Sequence, residues 1–383
     1  MVQGEFSVSR GTIIYVGEFV LPDKGAAANR VVSNGKLFNS LGYRTVFLGA
    51  SESAESFDSI RPIYGHNEMY EQAHPETAVQ WIRHTLSTKD ILALVEKYDD
   101  VKMVVLYNLP VITLCLIKRA LKRWNIEVAY DCTEWTNTTS GSTVKKVFKY
   151  IDEIAVRRLA HRIADRMIVI STMMEGHYRE AKKVLRLPPL VDTDDEIWHQ
   201  TPEEHNGIFE FCFAGVPDGK KESLGKVVEA FRCINEENAR LRIIGVIEEE
   251  FRELYPETAL TPEAEKRIVF MGMLPHKQVI KHLLGCDCCV CFRESDRRNN
   301  AGFPTKFAEA FTCNVPIITT AVSDVGEYMK EENCGQLLEN PQIQTIRAAM
   351  LDAIKKGCRK KTEVRTAFDY RTYQKSCRDW INR

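Results

Sequence analysis

Arg298, Asn300, Gly302, Phe303, Thr305, Lys306 and Glu309 crowd into one stretch, and their types suit the capture of an anion together with a pair of hydroxyls. The stretch follows residues 288–292, a short apolar run that reads as a buried strand. From Arg297 it passes through a polar, glycine-containing loop and enters a helix at Pro304, whose fixed φ and missing N–H suit the first helical position. The N–H groups of Thr305 and Lys306 then point back out of the helix, where the positive end of its dipole favours a phosphate. Glu309 comes about one turn further in, on the same side. A carboxylate would repel a phosphate that it touched, so its fitting role is to accept hydrogen bonds from vicinal hydroxyls such as those of a ribose. Anion donors plus a hydroxyl acceptor describe a nucleotide clamp. The competing reading is an ordinary strand, loop and helix with Glu309 on a solvated face.

A second group lies in the N-terminal half. Residues 18–30 form a loop after the first apolar run, and Gly25 with the alanines that follow lets a ligand approach backbone at a helix start. No G-x-G-x-x-G is present, so this is not a dinucleotide fingerprint, and a tight helix start packed on the sheet is the alternative. Asn108 follows the run 103–107, while Asp131, Glu134 and Trp135 follow the run 127–130. Both groups fall at the C-terminal ends of expected strands, where open α/β sheets bind ligands. Carboxylates accept hydrogen bonds from sugar hydroxyls, and an aromatic ring lies against the apolar face of a pyranose. Asp131 is therefore a candidate acceptor-orienting group or base, Glu134 a hydroxyl acceptor, and Asn108 and Trp135 candidate acceptor contacts. Helix capping by Asp131 or Thr133 competes with that assignment.

These residues need a scaffold of strands and helices. At 383 residues, with 44% hydrophobic and 27% charged residues and a formal net charge of −1, the chain reads as a globular protein of about two domains, not a nucleic-acid binder. The first ten residues lack an apolar core, and the most apolar window, 103–117, is broken by Asn108 and Pro110, so a cytoplasmic protein is expected. Most of the twelve cysteines sit in apolar runs, as reduced thiols do, and Cys286, Cys288, Cys289 and Cys291 alternate along a strand instead of converging on zinc. Strand-like runs at 12–16, 45–48, 103–107, 127–130 and 166–170 alternate with helix-length intervals, which predicts a parallel sheet covered on both sides. The pattern resumes at 209–213, 241–244, 267–270 and 288–292. The division expected is 1–192, a linker at 193–207 after Pro188 and Pro189, a second Rossmann-like domain at 208–361, and a final helix at 362–383 that crosses back to the first domain. Between 145 and 166, Lys145, Lys146, Lys149, Arg157, Arg158, His161, Arg162 and Arg166 outnumber Asp152, Glu153 and Asp165. A basic helical face of that kind suits either peripheral contact with anionic lipid at the inner face of the membrane or plain solvation.

The run from Gly302 to Glu309, followed by Thr312-Cys313-Asn314-Val315-Pro316, resembles the donor-binding signature of family 4 (group 1) glycosyltransferases of the GT-B fold, in the version found in bacterial polysaccharide assembly. The resemblance implies two Rossmann-like domains facing across a cleft, with the nucleotide sugar on the second and the acceptor on the first. Glu309 matches the family's second glutamate, which holds the ribose. Ala301 stands where the first glutamate usually approaches the donor sugar. Asn314 replaces a glycine, and asparagine is the next-best residue at a left-handed helix end. Gly215, Lys220 and Lys221 resemble the family's glycine-then-lysine loop, with Lys221 the better match and Lys220 the alternative. An ammonium there would offset charge building on the leaving diphosphate, with Arg298 or Arg297 as a nearby arginine. The family transfers sugar with retention and without an obligatory metal or other cofactor, which agrees with the lack of a convincing Asp-x-Asp loop. The resemblance thus implies a glycosyltransferase acting on a nucleotide-diphosphate sugar and a saccharide or polyprenyl-linked acceptor. A nucleotide-sugar epimerase of the same fold and a non-catalytic nucleotide or carbohydrate binder are the alternatives.

Overall fold

The structure is a computed structural model that describes residues 9–53, 59–66, 68–75, 77–135, 143–202, 207–217, 223–258, 260–330, 334–357 and 363–383. It divides into two compact units, Met1–Val191 with Asp369–Arg383, and Asp192–Phe368.

The first unit is built on β1 (Thr12–Gly17), β2 (Arg44–Ala50), β3 (Arg61–Pro62), β4 (Met69–Gln72), β5 (Val101–Tyr107), β6 (Glu127–Cys132), β7 (Arg166–Val169) and β8 (Val184–Arg186), in the sheet order β3-β4-β2-β1-β5-β6-β7-β8. All pairings are parallel except β3 with β4. Every residue of β1 is buried, as befits a strand flanked on both sides and covered on both faces. The first helix, Gly25–Ser40, buries Val31, Leu37 and Phe38 on this sheet, and Gly42, at φ +89°, turns the chain into β2. The segment Asp369–Arg383 completes the same core: Cys377 and Trp380 of the helix Gln374–Asn382 pack with Phe38, Ile168 and Leu185. Arg166 is buried in β7, held by Glu127 at 2.7 Å and by the backbone oxygens of Trp380 and Ile381, so it is no part of an exposed basic face.

The second unit carries β9 (Phe209–Ala214), β10 (Ala239–Ile244), β11 (Ile268–Phe270), β12 (Cys288–Cys291), β13 (Ile317–Thr320) and β14 (Gly335–Leu338), all parallel, in the order β11-β10-β9-β12-β13-β14. Phe211, Leu241 and Val290 meet in its core, and the four thiols between 286 and 291 are buried. The stretch 193–202 belongs to this unit and forms a short turn of helix, Glu196–His199, that buries Trp198. No helix among the described residues is long and apolar enough to cross a membrane.

Candidate functional site

In the second unit the candidate residues gather where parallel strands end. After β9 comes Gly215 at φ +142°, and after β10 comes Gly245 at φ +107°, backbone that only glycine adopts without strain. A Cβ on Gly215 would lie 1.8 Å from Cε of Lys306, and one on Gly245 would lie 2.6 Å from the carbonyl of Gly215. Gly245 therefore makes room for the backbone of Gly215, and Gly215 makes room for the Lys306 side chain. Its ammonium sits 4.8 Å from the ring centroid of Phe213, at cation–π distance.

Lys306 stands in the first turn of the helix Thr305–Thr312, and Pro304 is the residue before that helix, not its first member. Pro304 still serves the start, because its carbonyl accepts from the Phe307 N–H at 3.0 Å. The preceding segment also departs from the loop expected: Arg297–Ala301 is a short helix capped by Asp296, whose carboxylate accepts from the Asn299 N–H at 2.7 Å. Asn300 is committed to this framework. Its amide donates to the Asp296 carbonyl at 2.8 Å and its oxygen accepts from the Ser323 N–H at 3.0 Å, so it braces two loops and is a poor ligand contact. Phe303 is likewise core, its ring packed on Phe307, Tyr328 and Phe368. Gly302 has φ −77°, an ordinary value, so its role does not rest on backbone freedom. Ala301, in place of a glutamate, is fully buried. Arg298 is half-buried, and its Nε has no hydrogen-bond partner among the described residues. Lys220 and Lys221 lie outside the described residues.

Glu309 is half-buried and shares its Oε1 with His276 Nε2 at 2.9 Å. That histidine opens the helix His276–Gly285, from a different part of the sequence. Sequence reading missed it, and its position just after Pro275 at a helix start was the one available signal. The pair fixes one carboxylate oxygen and so orients the Glu309 side chain.

In the first unit a cavity of about 580 Å³ is bounded by Asn108, Glu134 and Trp135 together with Glu18, Trp81 and His84. Three of the expected acceptor-side residues therefore do meet on one wall. Their roles differ from those expected. Asn108, at φ +48°, exchanges two hydrogen bonds with Thr133, at 2.6 and 3.0 Å, and so ties the end of β5 to that of β6. Trp135 is buried edge-on against His177 and Tyr178, and its Nε1 donates to the Tyr178 hydroxyl at 3.2 Å, which leaves little ring for a sugar. Glu134 is exposed at the wall. Gly25, exposed at φ +77°, begins the first helix with open space around it.

Asp131 does not reach the cavity. It is 0% exposed and lies under the sheet end, where Arg30 grips it with Nη2 at 2.9 Å and Nε at 3.1 Å while the Tyr15 hydroxyl donates to the same carboxylate. Burial works against the Arg30 charge, yet the Asp131 carboxylate outweighs it and holds the guanidinium above its usual range. A carboxylate fully buried and paired in this way is out of reach of an acceptor hydroxyl, so the role of base or acceptor-orienting group is withdrawn. Glu18, which sequence reading passed over, takes its place at the cavity. His84 lies 2.9 Å away and His74 3.6 Å. Burial raises the Glu18 pKa, but the His84 hydrogen bond and the two imidazole charges overcome it and hold the group below the ordinary carboxylate value. The same hydrogen bond, against burial, pushes His84 up.

Residues 196–375 match the family model of glycosyl transferases group 1. No curated protein sequence matches the chain. Among solved structures, sucrose-phosphate synthase from Thermosynechococcus elongatus superposes with a TM-score of 0.66 at 12% identity, over 97% of this chain and 98% of that one. HepE of Anabaena, solved with UDP and glucose, gives 0.64 at 12% identity over 97% and 99%. The lipopolysaccharide outer core galactosyltransferase WaaB gives 0.58 at 13% identity over 96% and 95%. Residues 196–375 thus form a group 1 glycosyltransferase domain, and the chain, with its two parallel-sheet units, has the GT-B fold of these solved structures.

Proposed function

We propose that the enzyme takes a nucleotide-diphosphate sugar on its second unit and moves the sugar to a saccharide, free or carried on a polyprenyl lipid, bound at the cavity of the first unit, in surface polysaccharide or glycoconjugate synthesis. The observation that carries the proposal is the arrangement of Gly215, Gly245, Lys306 and the Glu309–His276 pair around the strand ends of the group 1 domain. Bare backbone, a helix start and an ammonium suit a diphosphate, and a braced carboxylate about one turn away suits the ribose diol. Arg298, with its buried Nε, is a second cation for the diphosphate. Lys221, or Lys220, is assigned by family resemblance to the leaving group.

In the reaction proposed, the acceptor oxygen bonds to the anomeric carbon as the bond from that carbon to the diphosphate oxygen breaks. The acceptor proton passes to the departing diphosphate on the same face, so configuration is retained and no metal is needed. Glu134 orients the acceptor through a hydroxyl. HepE, solved with UDP and with UDP-glucose, makes UDP the first nucleotide to try.

Calorimetric titration with UDP, GDP, ADP and CDP tests the reading. One nucleotide should bind, and Glu309→Ala should weaken it at least about tenfold, the worth of a hydrogen bond to a charged group. Failure of all four nucleotides to bind, or an unchanged affinity in the folded variant, overturns the donor site.

A further inference from the structure

Two neighbouring helices of the first unit turn apolar side chains outward. On Ala78–Leu86, Val79, Ile82 and Leu86 recur at a spacing of three and four, which places them on one face, and Val79 is 70% exposed. On Thr143–Ala155, Val147, Tyr150 and Ile151 do the same, with Tyr150 at 62% and Ile151 at 60%. The helices are joined on their inner sides, where the rings of Trp81 and Phe148 meet edge to face at 4.7 Å. The outer faces are thus the sides left to solvent.

Exposed charge on these helices has one sign. Among the described residues of the two helices and their continuation to Ile163, the exposed charged side chains are Arg83, Lys146, Lys149, Arg158 and Arg162. The carboxylates of the same run turn to other work. Asp152 accepts from the Val111 N–H at 2.9 Å, and Glu153 pairs with Arg157 at 3.6 Å. Six large apolar side chains exposed on two adjoining helices are costly in water and mark a contact surface.

We infer that this two-helix face docks the enzyme on an anionic lipid bilayer. Side chains such as Ile82, Tyr150 and Ile151 would enter the boundary between headgroups and acyl chains, and the cationic rim would meet lipid phosphates. Charge complementarity selects this occupant: a second copy would set the cationic rim against itself. The surface differs from the basic run read in the sequence, because His161 and Arg166 are buried and the apolar residues of Ala78–Leu86 join it.

The test needs no sugar donor, so it stands apart from the transfer reaction. The full chain is sedimented with vesicles of phosphatidylcholine alone or mixed with phosphatidylglycerol. Binding is expected to the mixed vesicles only and to weaken with salt. The double variant Ile82→Glu, Ile151→Glu should lose at least about tenfold in partitioning, from apolar area and added negative charge. Lys146→Glu should lose about fivefold or more, while Lys355→Glu, on the second unit, should bind as wild type. Each variant is checked by circular dichroism. Failure of wild type to bind either vesicle overturns the inference, as does full binding by the folded double variant. Self-association in the ultracentrifuge that the double variant abolishes, with no vesicle binding, assigns the face to a second copy instead.

Discussion

The use to which each carboxylate is put separates Asp131 from Glu134, although only three positions part them, the one near the end of β6 and the other just past it. Asp131 neutralises Arg30 in a buried pair, with side-chain exposures of 0% and 3%, and the Asn34 amide and Tyr15 hydroxyl fill the remaining space. Removing one member of such a pair strands the other charge in the core, which commonly costs about 3–5 kcal/mol. Asp131→Ala is therefore expected to lower stability by that amount in urea unfolding, and Glu134→Ala to leave it within about 0.5 kcal/mol. An Asp131→Ala protein of wild-type stability that had lost turnover would restore Asp131 as a chemical group. The sequence places both residues correctly at a strand end but does not tell their directions apart, because side chains alternate along a strand and one position reverses the answer. Nor does it show the partners: Arg30 and Asn34 come from the first helix, and His276, which braces Glu309, from a helix upstream of it. Side-chain types announce a chemistry, whereas the pairings that enable or cancel it come from other elements.

Elements fix how near backbone and ligand can come. The parallel strands that line the core are legible because full burial writes them as continuous apolar runs. The edge strands β3, β8 and β14 carry only partial burial and leave no such run. The helix Arg297–Ala301 is hidden by its polar composition, since its stability comes from the Asp296 cap and from Asn299 donating to the Glu294 carbonyl at 2.8 Å. Asn314 is readable from its type alone and does take the left-handed conformation, at φ +54°. Gly215 and Gly245 look alike in the sequence, yet what each avoids differs. An alanine at 215 would strike the flexible end of Lys306, whereas one at 245 would strike the backbone of Gly215. Gly215→Ala should cost about 1–3 kcal/mol for its strained φ and displace the Lys306 ammonium, weakening nucleotide binding about tenfold. Gly245→Ala, whose obstacle cannot swing aside, should be the less stable of the two. Thermal unfolding and nucleotide titration of both variants decide this, and wild-type affinity in Gly215→Ala would remove Lys306 from the binding surface.

For the whole molecule, the chain path makes the first unit depend on residues that come last. The chain leaves this unit at Val191 and re-enters it at Asp369, where the Tyr370 N–H donates to the Val191 carbonyl at 3.0 Å. From there the closing helix seats Trp380 under Arg166, whose guanidinium lies 5.3 Å from the indole centroid and donates to the backbone of Trp380 and Ile381. Trp380→Ala removes the indole and opens a cavity beneath a buried arginine, at a cost of about 3–5 kcal/mol. Because the side chain belongs to the core of one unit, that loss should stay local. Hydrogen exchange resolved by mass spectrometry should show peptides of β1, β5 and β7 losing protection, while those of β9, β10 and β12 keep theirs. Equal loss in both units would mean that they unfold as one cooperative body and that the closing helix stabilises the molecule as a whole. No loss in either would mean that the indole contributes nothing to the core it fills.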